Sequence, residues 1–428
     1  MADIGLTVTY FAILLGFGVL IANLLKKSRV PDTFFLLLLG LVLGPTLWKS
    51  SFLPPYLNIQ LIDVSLMDAV PDFLRLLALI MIVFTGTFNL SFKMFKRFSN
   101  ISINLAFVGV IFNTIFLGLI AHFIFGFDLI YSLLLGSIIS GTDPSVIVPF
   151  ERVLNKSRKA TTILKVESIF NSPLSVLLPV LFLDLVALQP GALINPLKYL
   201  SQFWLMIVAG IGTGIVIGFS VSKLLKIMLK EYSPLLLFSI ALITYALAEN
   251  VGGSGMLAVA VCGLVAGNIT LPNREEVKHF DDQFSELLRI SVFTLLGAQV
   301  FLSFNLQEIF LVLLFFLFVF FSRPIFLMPL LGKRKNEFNR NDIFLLNFIA
   351  PRGVSPAAIT PIVTAVIIGA GQKAIADSFI NIIFMIILLS VLLSTLVAEI
   401  ISFSYKRLEN EKKEDVQENK EDVQIKVY

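Results

Sequence analysis

Long uninterrupted apolar runs dominate the chain, with no period-two alternation and few one-sided helical stripes. Runs of about 17–25 residues, the length needed to span a bilayer as helix, lie near 3–25, 32–48, 72–90, 101–125, 128–150, 161–187, 197–222, 233–249, 253–269, 286–304, 306–330, 341–369 and 378–404. The ninth is the least apolar, being rich in Gly and Ala. Basic residues fall in alternate loops: Lys26, Lys27 and Arg29; Lys93, Lys96 and Arg97; Arg152, Lys156, Arg158 and Lys159; Lys223, Lys226 and Lys230; Arg274 and Lys278; and Lys333, Arg334, Lys335 and Arg340. The intervening loops hold only Lys49, Lys198 and Lys373. Because positive loops stay in the cytoplasm, the N-terminus is expected outside and the C-terminus inside. That arrangement requires an odd number of spans and so supports thirteen. Trp48 and Trp204 fall at outer helix ends, where interfacial aromatic residues belong. After residue 405 the pattern stops. The segment "KRLENEKKEDVQENKEDVQIKVY", 406–428, carries both charge signs and is expected to be a disordered or helical cytoplasmic tail.

Composition agrees with the pattern. Hydrophobic residues make up 57% and charged residues 14% of the chain, with a mean hydropathy of +0.90, which indicates an all-α, multi-pass membrane protein. The net charge of +4 adds little, since in such a protein the placement of charge matters more than its sum. Cys262 is the single cysteine and excludes an intrachain disulfide. The first apolar run lacks a basic leader and is long enough to span, so it is expected to be a helix and not a cleaved signal. Enzyme chemistry finds no support. His122 and His279 are isolated, and no nucleophile–base pair or metal-ligand cluster stands out. "GGSG" at 252–255 lacks a phosphate-loop lysine and lies between two spans. No cofactor or nucleic acid is expected.

Ionisable residues inside the spans are therefore the informative ones. A charge at the bilayer centre costs at least about 2.5–3.5 kcal/mol, so each needs a partner or a function. They are Asp143, Lys165, Glu167, Arg289, Arg323 and Arg352, with Arg75, Asp184 and Glu249 nearer span ends. Two spans are also interrupted: the fifth reads "GSIISGTDPSVIVPF" and the twelfth "FIAPRGVSPAAITP". A proline in lipid removes a donor and frees a carbonyl, which is tolerable only where protein or water re-satisfies the backbone. One broken helix in the middle of spans 4–6 and one in the middle of spans 11–13 is the pattern of an inverted-repeat transporter with two crossing broken helices. Its ion site is expected near the midplane.

"VESIFNSPLS", 166–175, follows the first broken helix and places Glu167, Ser168, Asn171, Ser172 and Ser175 where lipid would favour Leu and Val. Residues four apart share a helix face, so this stripe is expected to face Thr142 and Asp143. An oxygen-rich pocket of that kind suits a hard monovalent cation. A carboxylate in a low-dielectric site holds a cation or a proton but hardly both, and that competition couples the two. Arg323 and Arg352 are the available counter-charges; pairing one with Glu167 makes Glu167 structural and leaves Asp143 as the carrier. For Ser172 and Ser175, back-bonding to the helix is the simplest expectation.

Five segments, "GTDPSVIVPF", "ESIFNSPLS", "GGSGMLAVAVCGLVAGN", "SRP" and "APRGVSPAA", together resemble the cation:proton antiporter-1 family of the sodium/proton exchanger superfamily. The chain looks most similar to its NhaP-like archaeal and bacterial branch. The resemblance covers nearly all of 1–405. It implies a homodimer in the cell membrane, with interface spans within 3–90 and 197–304 and an ion-translocating core within 101–187 and 306–404. It also implies electroneutral exchange of Na+ (or Li+ or K+) for H+ by an elevator-like movement of the core. Matched by motif position, Thr142 and Asp143 are ion-site residues, with Asp143 the Na+ ligand. Ser168 is a ligand or neighbour, Glu167 pairs with Arg323, Asn171 supports that pair, and Arg352 lies in the second broken helix.

The chain departs from the pattern at one position. Similar exchangers read Asn-Asp where this chain reads Asn171-Ser172, and that aspartate is their shared cation and proton site. A serine hydroxyl can coordinate a cation but cannot release a proton near neutral pH. Asp143 is therefore expected to carry the proton, with Glu167 second if its arginine lets go. Two alternatives stay open: the same fold with an anion, an organic solute or an uncoupled cation as cargo, and a transport-dead sensor.

Overall fold

The computed structural model describes residues 4–25, 32–44, 70–144, 146–147, 157–187, 196–227, 233–269, 274–299 and 306–425. Among them every regular element is helical: α1 (Ile4–Leu25), α2 (Thr33–Leu43), α3 (Val70–Phe88), α4 (Phe92–Phe125), α5 (Leu129–Ile138), α6 (Arg158–Phe170), α7 (Ser172–Ala187), α8 (Pro196–Ile227), α9 (Ser233–Asn250), α10 (Gly255–Gly267), α11 (Arg274–Gln299), α12 (Leu306–Leu331), α13 (Arg340–Phe348), α14 (Val354–Gly369) and α15 (Lys373–Ile425). Each of the thirteen apolar runs falls on one helix or on a pair of half-helices. Trp48, residue 145 and residues 148–156, which include the end of the fifth run, lie outside the described residues.

The apolar runs mark where lipid begins, whereas the helices extend further. α4 starts at Phe92 and not near 101; Ser91 caps it by accepting from the Met94 N–H, and Gly126 ends it in the left-handed conformation at φ 70°. α11 starts at Arg274, ahead of the run at 286, because its first turns are amphipathic and need no lipid. α15 continues to Ile425, so of the two expectations for the tail the helix is the one observed.

Two sets of helices form. α4–α7 pack with α12–α15, and α1–α3 pack with α8–α11; the sets meet chiefly where α8, α10, α3, α11 and α2 touch α7, α6, α14 and α15. Within the second set α2 and α11 lie backbone to backbone. A Cβ on Gly40 would collide with the Thr294 carbonyl, and one on Gly297 with the Leu37 carbonyl. Glycine is what permits that approach.

Most of the in-span charges have a visible partner. Arg289 is held by Asp32 at 2.7 and 2.8 Å and by Glu286 at 2.5 Å. Arg75 pairs with Asp72 at 2.9 Å, and the Lys165 ammonium donates to the Gly86 carbonyl at 2.9 Å. Glu249 accepts from the Gly255 N–H at 2.8 Å, and Asp184 from the Tyr199 hydroxyl at 2.7 Å. A polar cavity of about 560 Å³ lies between α3, α6 and α11, reaching inward from the basic loops to Lys165 and Arg289.

Asp281, on the part of α11 that precedes the apolar run, is fully buried and neither carboxylate oxygen has a hydrogen-bond partner. Burial, reinforced by Asp282, pushes its carboxyl up to about 7. The unfolded chain releases this proton near pH 4 and the folded chain near pH 7. The group therefore favours the fold below about pH 4, and that contribution is lost as pH rises to about 7. Asp281→Asn is expected to raise the thermal midpoint in detergent, by more at about pH 8 than at about pH 5, with a full effect on the order of 3 kcal/mol. An equal shift at both pH values would contradict this.

Candidate ion-binding site

The site is built where the two broken helices cross. After α5 the chain unwinds through Ser140, Gly141 and Thr142, as Pro144 lies ahead and cannot donate within a helix. After α13 it unwinds through Ala350, Pro351, Arg352 and Gly353, again around a proline. The two unwound stretches bond to each other. Asp143 donates its N–H to the Pro351 carbonyl at 3.2 Å, and its carboxylate accepts the Ser355 N–H at 2.9 Å. Arg352 donates to the Gly141 carbonyl at 2.8 Å and is anchored by its own N–H to the Ser390 hydroxyl at 2.9 Å. Each break thus supplies the charge that the other's half-helix calls for. The positive N-terminal end of α14 receives Asp143, and the negative C-terminal end of α5 receives Arg352. Both side chains are 1% exposed.

Glu167 is committed elsewhere. Its oxygens take both arms of Arg323 at 2.8 and 2.6 Å, with each side chain 3% exposed. The Nε–H of Arg323 goes to the Leu346 carbonyl near the end of α13, so this bidentate pair ties α6 to α12 and α13. The expected Glu167–Arg323 pair is present.

Asn171 does not support that pair. Its amide donates to the Thr142 hydroxyl at 2.9 Å. Four residues advance a helix by slightly more than one turn, so Asn171 is rotated past Glu167. It sits where α6 gives way to α7, and there it meets the break and not Arg323. The rest of the polar stripe divides. Ser168 and Ser172 donate back to the Lys165 and Ser168 carbonyls at 2.9 and 3.2 Å, Ser172 being half-buried. Ser175 is buried against Gly141, so the back-bonding expected of it is absent. The stripe therefore contributes Asn171 and Ser175 to the break and Glu167 to the ion pair.

The oxygens at the crossing, a carboxylate and a threonine hydroxyl with an amide and a second hydroxyl beside them, form the hard donor set that a monovalent cation prefers. A model of the family "Sodium/hydrogen exchanger, transmembrane" matches residues 11–403. The chain belongs to the sodium/hydrogen exchanger family. Na(+)/H(+) antiporter 1 of Methanocaldococcus jannaschii is 29% identical over 379 residues, covering 83% of each chain. A K(+)/H(+) antiporter of Shewanella oneidensis is 27% identical over 297 residues, covering 68% of this chain and 50% of that protein. The solved structure of a sodium proton antiporter from Methanocaldococcus jannaschii superposes with a TM-score of 0.77 at 25% identity, covering 94% of this chain and 98% of the other.

Read as an exchanger, the chain holds site residues that its motifs did not point to. Ser355 contributes a backbone N–H, which any residue but proline would supply, so sequence carries no sign of it. Asn113 donates to the Ser140 carbonyl at 3.2 Å from the middle of α4; an amide inside an apolar run was the available signal, one that Asn104 shares. Ser390 on α15 is followed closely by Ser394 and Thr395, so nothing in the sequence singled it out.

Proposed function

We propose that this exchanger-family chain exchanges a monovalent cation, Na+ first among them, for H+, with Asp143 as the carboxylate that takes each in turn. The observation that carries the reading is the division of labour between two buried acids: Glu167 is locked to Arg323, whereas Asp143 lies at a helix N-terminus between two unwound segments. The alternation conserves charge. A bound cation neutralises the carboxylate, a proton does the same, and only a neutralised site crosses a low-dielectric layer cheaply. Thr142 and Asn171 are proposed to complete the oxygen set, with Ser168 offering the lone pair that back-bonding leaves unused, whereas the half-buried Ser172 is bonded back into its own helix and stays outside the set. The relatives named Na(+)/H(+) and K(+)/H(+) antiporters support a monovalent cation as cargo. An anionic cargo is disfavoured because both arginines that would hold it are engaged, Arg323 with Glu167 and Arg352 with Gly141.

The same proposal includes a homodimer and an outward N-terminus. It also takes α4–α7 with α12–α15 as the moving core and the other set as its scaffold. Its test is exchange in proteoliposomes with an imposed pH gradient and a pH-sensitive dye, adding Na+, Li+ or K+ in turn. Cation-dependent dequenching is expected, and flux that depends on the anion and not on the cation would overturn the reading. Ser172→Ala is expected to keep the apparent KM within about twofold, since its hydroxyl proton already goes to its own helix. A silent wild type beside an active Ser172→Asp would mean that coupling has been lost in this chain.

A further inference from the structure

Two side-chain oxygens bordering the unwound stretch 140–142 are buried with no hydrogen-bond partner: Ser175 Oγ and Asn113 Oδ1. Such atoms are rare, because a polar oxygen removed from water loses free energy that nothing repays, and they commonly mark a place that a water or an ion fills. Ser175 is the better defined. It lies on α7, one turn beyond Asn171, and its hydroxyl occupies the position that a Cβ on Gly141 would take. The Asn171 amide oxygen is 3.6 Å from that same Cβ position. Asn113 reaches the stretch from α4, its nitrogen on the Ser140 carbonyl and its oxygen left over. Gly141 therefore makes room for a group of neutral oxygens beside Asp143. Ser172 differs, being half-buried and bonded back to Ser168.

We propose that Ser175 is a cation ligand and a determinant of cation selectivity in this chain, its unpartnered hydroxyl supplying an oxygen donor where the family's second carboxylate is missing, with Asn113 lending a second neutral oxygen from α4. The inference rests on Asp143 being the carrier. A shell of one carboxylate and neutral oxygens has the charge of a single acid, so a bound monovalent cation leaves the site neutral, as does a bound proton. The neutral oxygens set how tightly a given cation is held, and the proton, which needs only the carboxylate, is indifferent to them.

The test is the apparent KM for Na+, Li+ and K+ of wild type, Ser175→Ala, Ser175→Cys and Asn113→Leu in proteoliposomes, together with the pH profile of exchange. Ser175→Ala is expected to raise the KM for Na+ by about tenfold, the loss of one neutral donor, and to change the Na+/K+ ratio. At cation concentrations scaled to the new KM, its pH profile and maximal rate should stay within about twofold, a split that general loosening of the fold would not produce. Ser175→Cys keeps the size but offers a soft donor, and is expected to show the same rise in KM, which guards against a packing defect in the alanine variant. An unchanged KM and unchanged ratio in both serine variants would overturn the inference and mean that water alone fills the site. If Asp143→Asn still exchanges, the carrier assignment fails instead, so the two failures are told apart.

Discussion

Replacing Asp143 with asparagine is expected to abolish cation-dependent proton exchange while leaving the protein folded. The amide is nearly isosteric with the carboxylate and keeps an oxygen to accept the Ser355 N–H, so the crossing of the broken helices should hold. What the variant loses is the charge. An amide binds a cation only as a dipole and carries no titratable proton, so both halves of the exchange cycle lose their ligand. A drop of at least about 100-fold in exchange follows, because among the described residues no other acid at the crossing is available to substitute. Glu167 is the nearest alternative on the same polar stripe, and both of its oxygens are taken by Arg323. The checks are dye dequenching for activity and the thermal midpoint for folding. Retained exchange would remove Asp143 from its role; a collapsed midpoint would show that the carboxylate is structural.

The second large effect is on stability. Arg323→Met leaves the Glu167 carboxylate buried without its partner, and such half-broken pairs cost about 3–5 kcal/mol. The Leu346 carbonyl loses its donor at the same time, which loosens the end of α13 next to the second break. A marked fall in thermal midpoint and in the yield of folded protein is expected. Removing both charges, as Glu167→Met with Arg323→Met, should recover most of it, since a well-packed apolar pair avoids the desolvation penalty that the ions carry. The double variant thus separates charge from packing. An Arg323→Met protein as stable as wild type would mean that the pair does not hold α6, α12 and α13 together.

Much of this was legible because bilayers leave a chain few choices. The thirteen apolar runs and the two Gly/Pro-interrupted spans each follow from a single constraint, that backbone polar groups must be satisfied inside lipid. Asp143 and Arg352 stood out for the same reason, as charges that apolar helices would not otherwise hold. What did not read from sequence is what depends on the angle of a side chain at a helix irregularity. For Asn171 the stripe pattern pointed to Thr142 and the motif to the ion pair, and the junction between α6 and α7 decides for Thr142. The tie between Arg289 and Asp32 was missed because Asp32 sits at the edge of an apolar run, where charge is ordinary. The Ser355 amide that receives Asp143 is backbone, and no residue code announces it. The starts of α4 and α11 were placed too late because hydropathy reports lipid contact and not helix formation.

The central claim is that one buried carboxylate holds a cation or a proton in turn, and it can be read without transport. Purified protein in weakly buffered detergent solution, equilibrated near the middle of its pH range, should release a proton when Na+ is added, and a choline salt should release none. Wild type is expected to release about one proton per chain at saturation, and Asp143→Asn none, as among the described residues one carboxylate at the crossing is left to exchange. Equal release by wild type and Asp143→Asn, or no release by wild type at saturating Na+, would contradict the account.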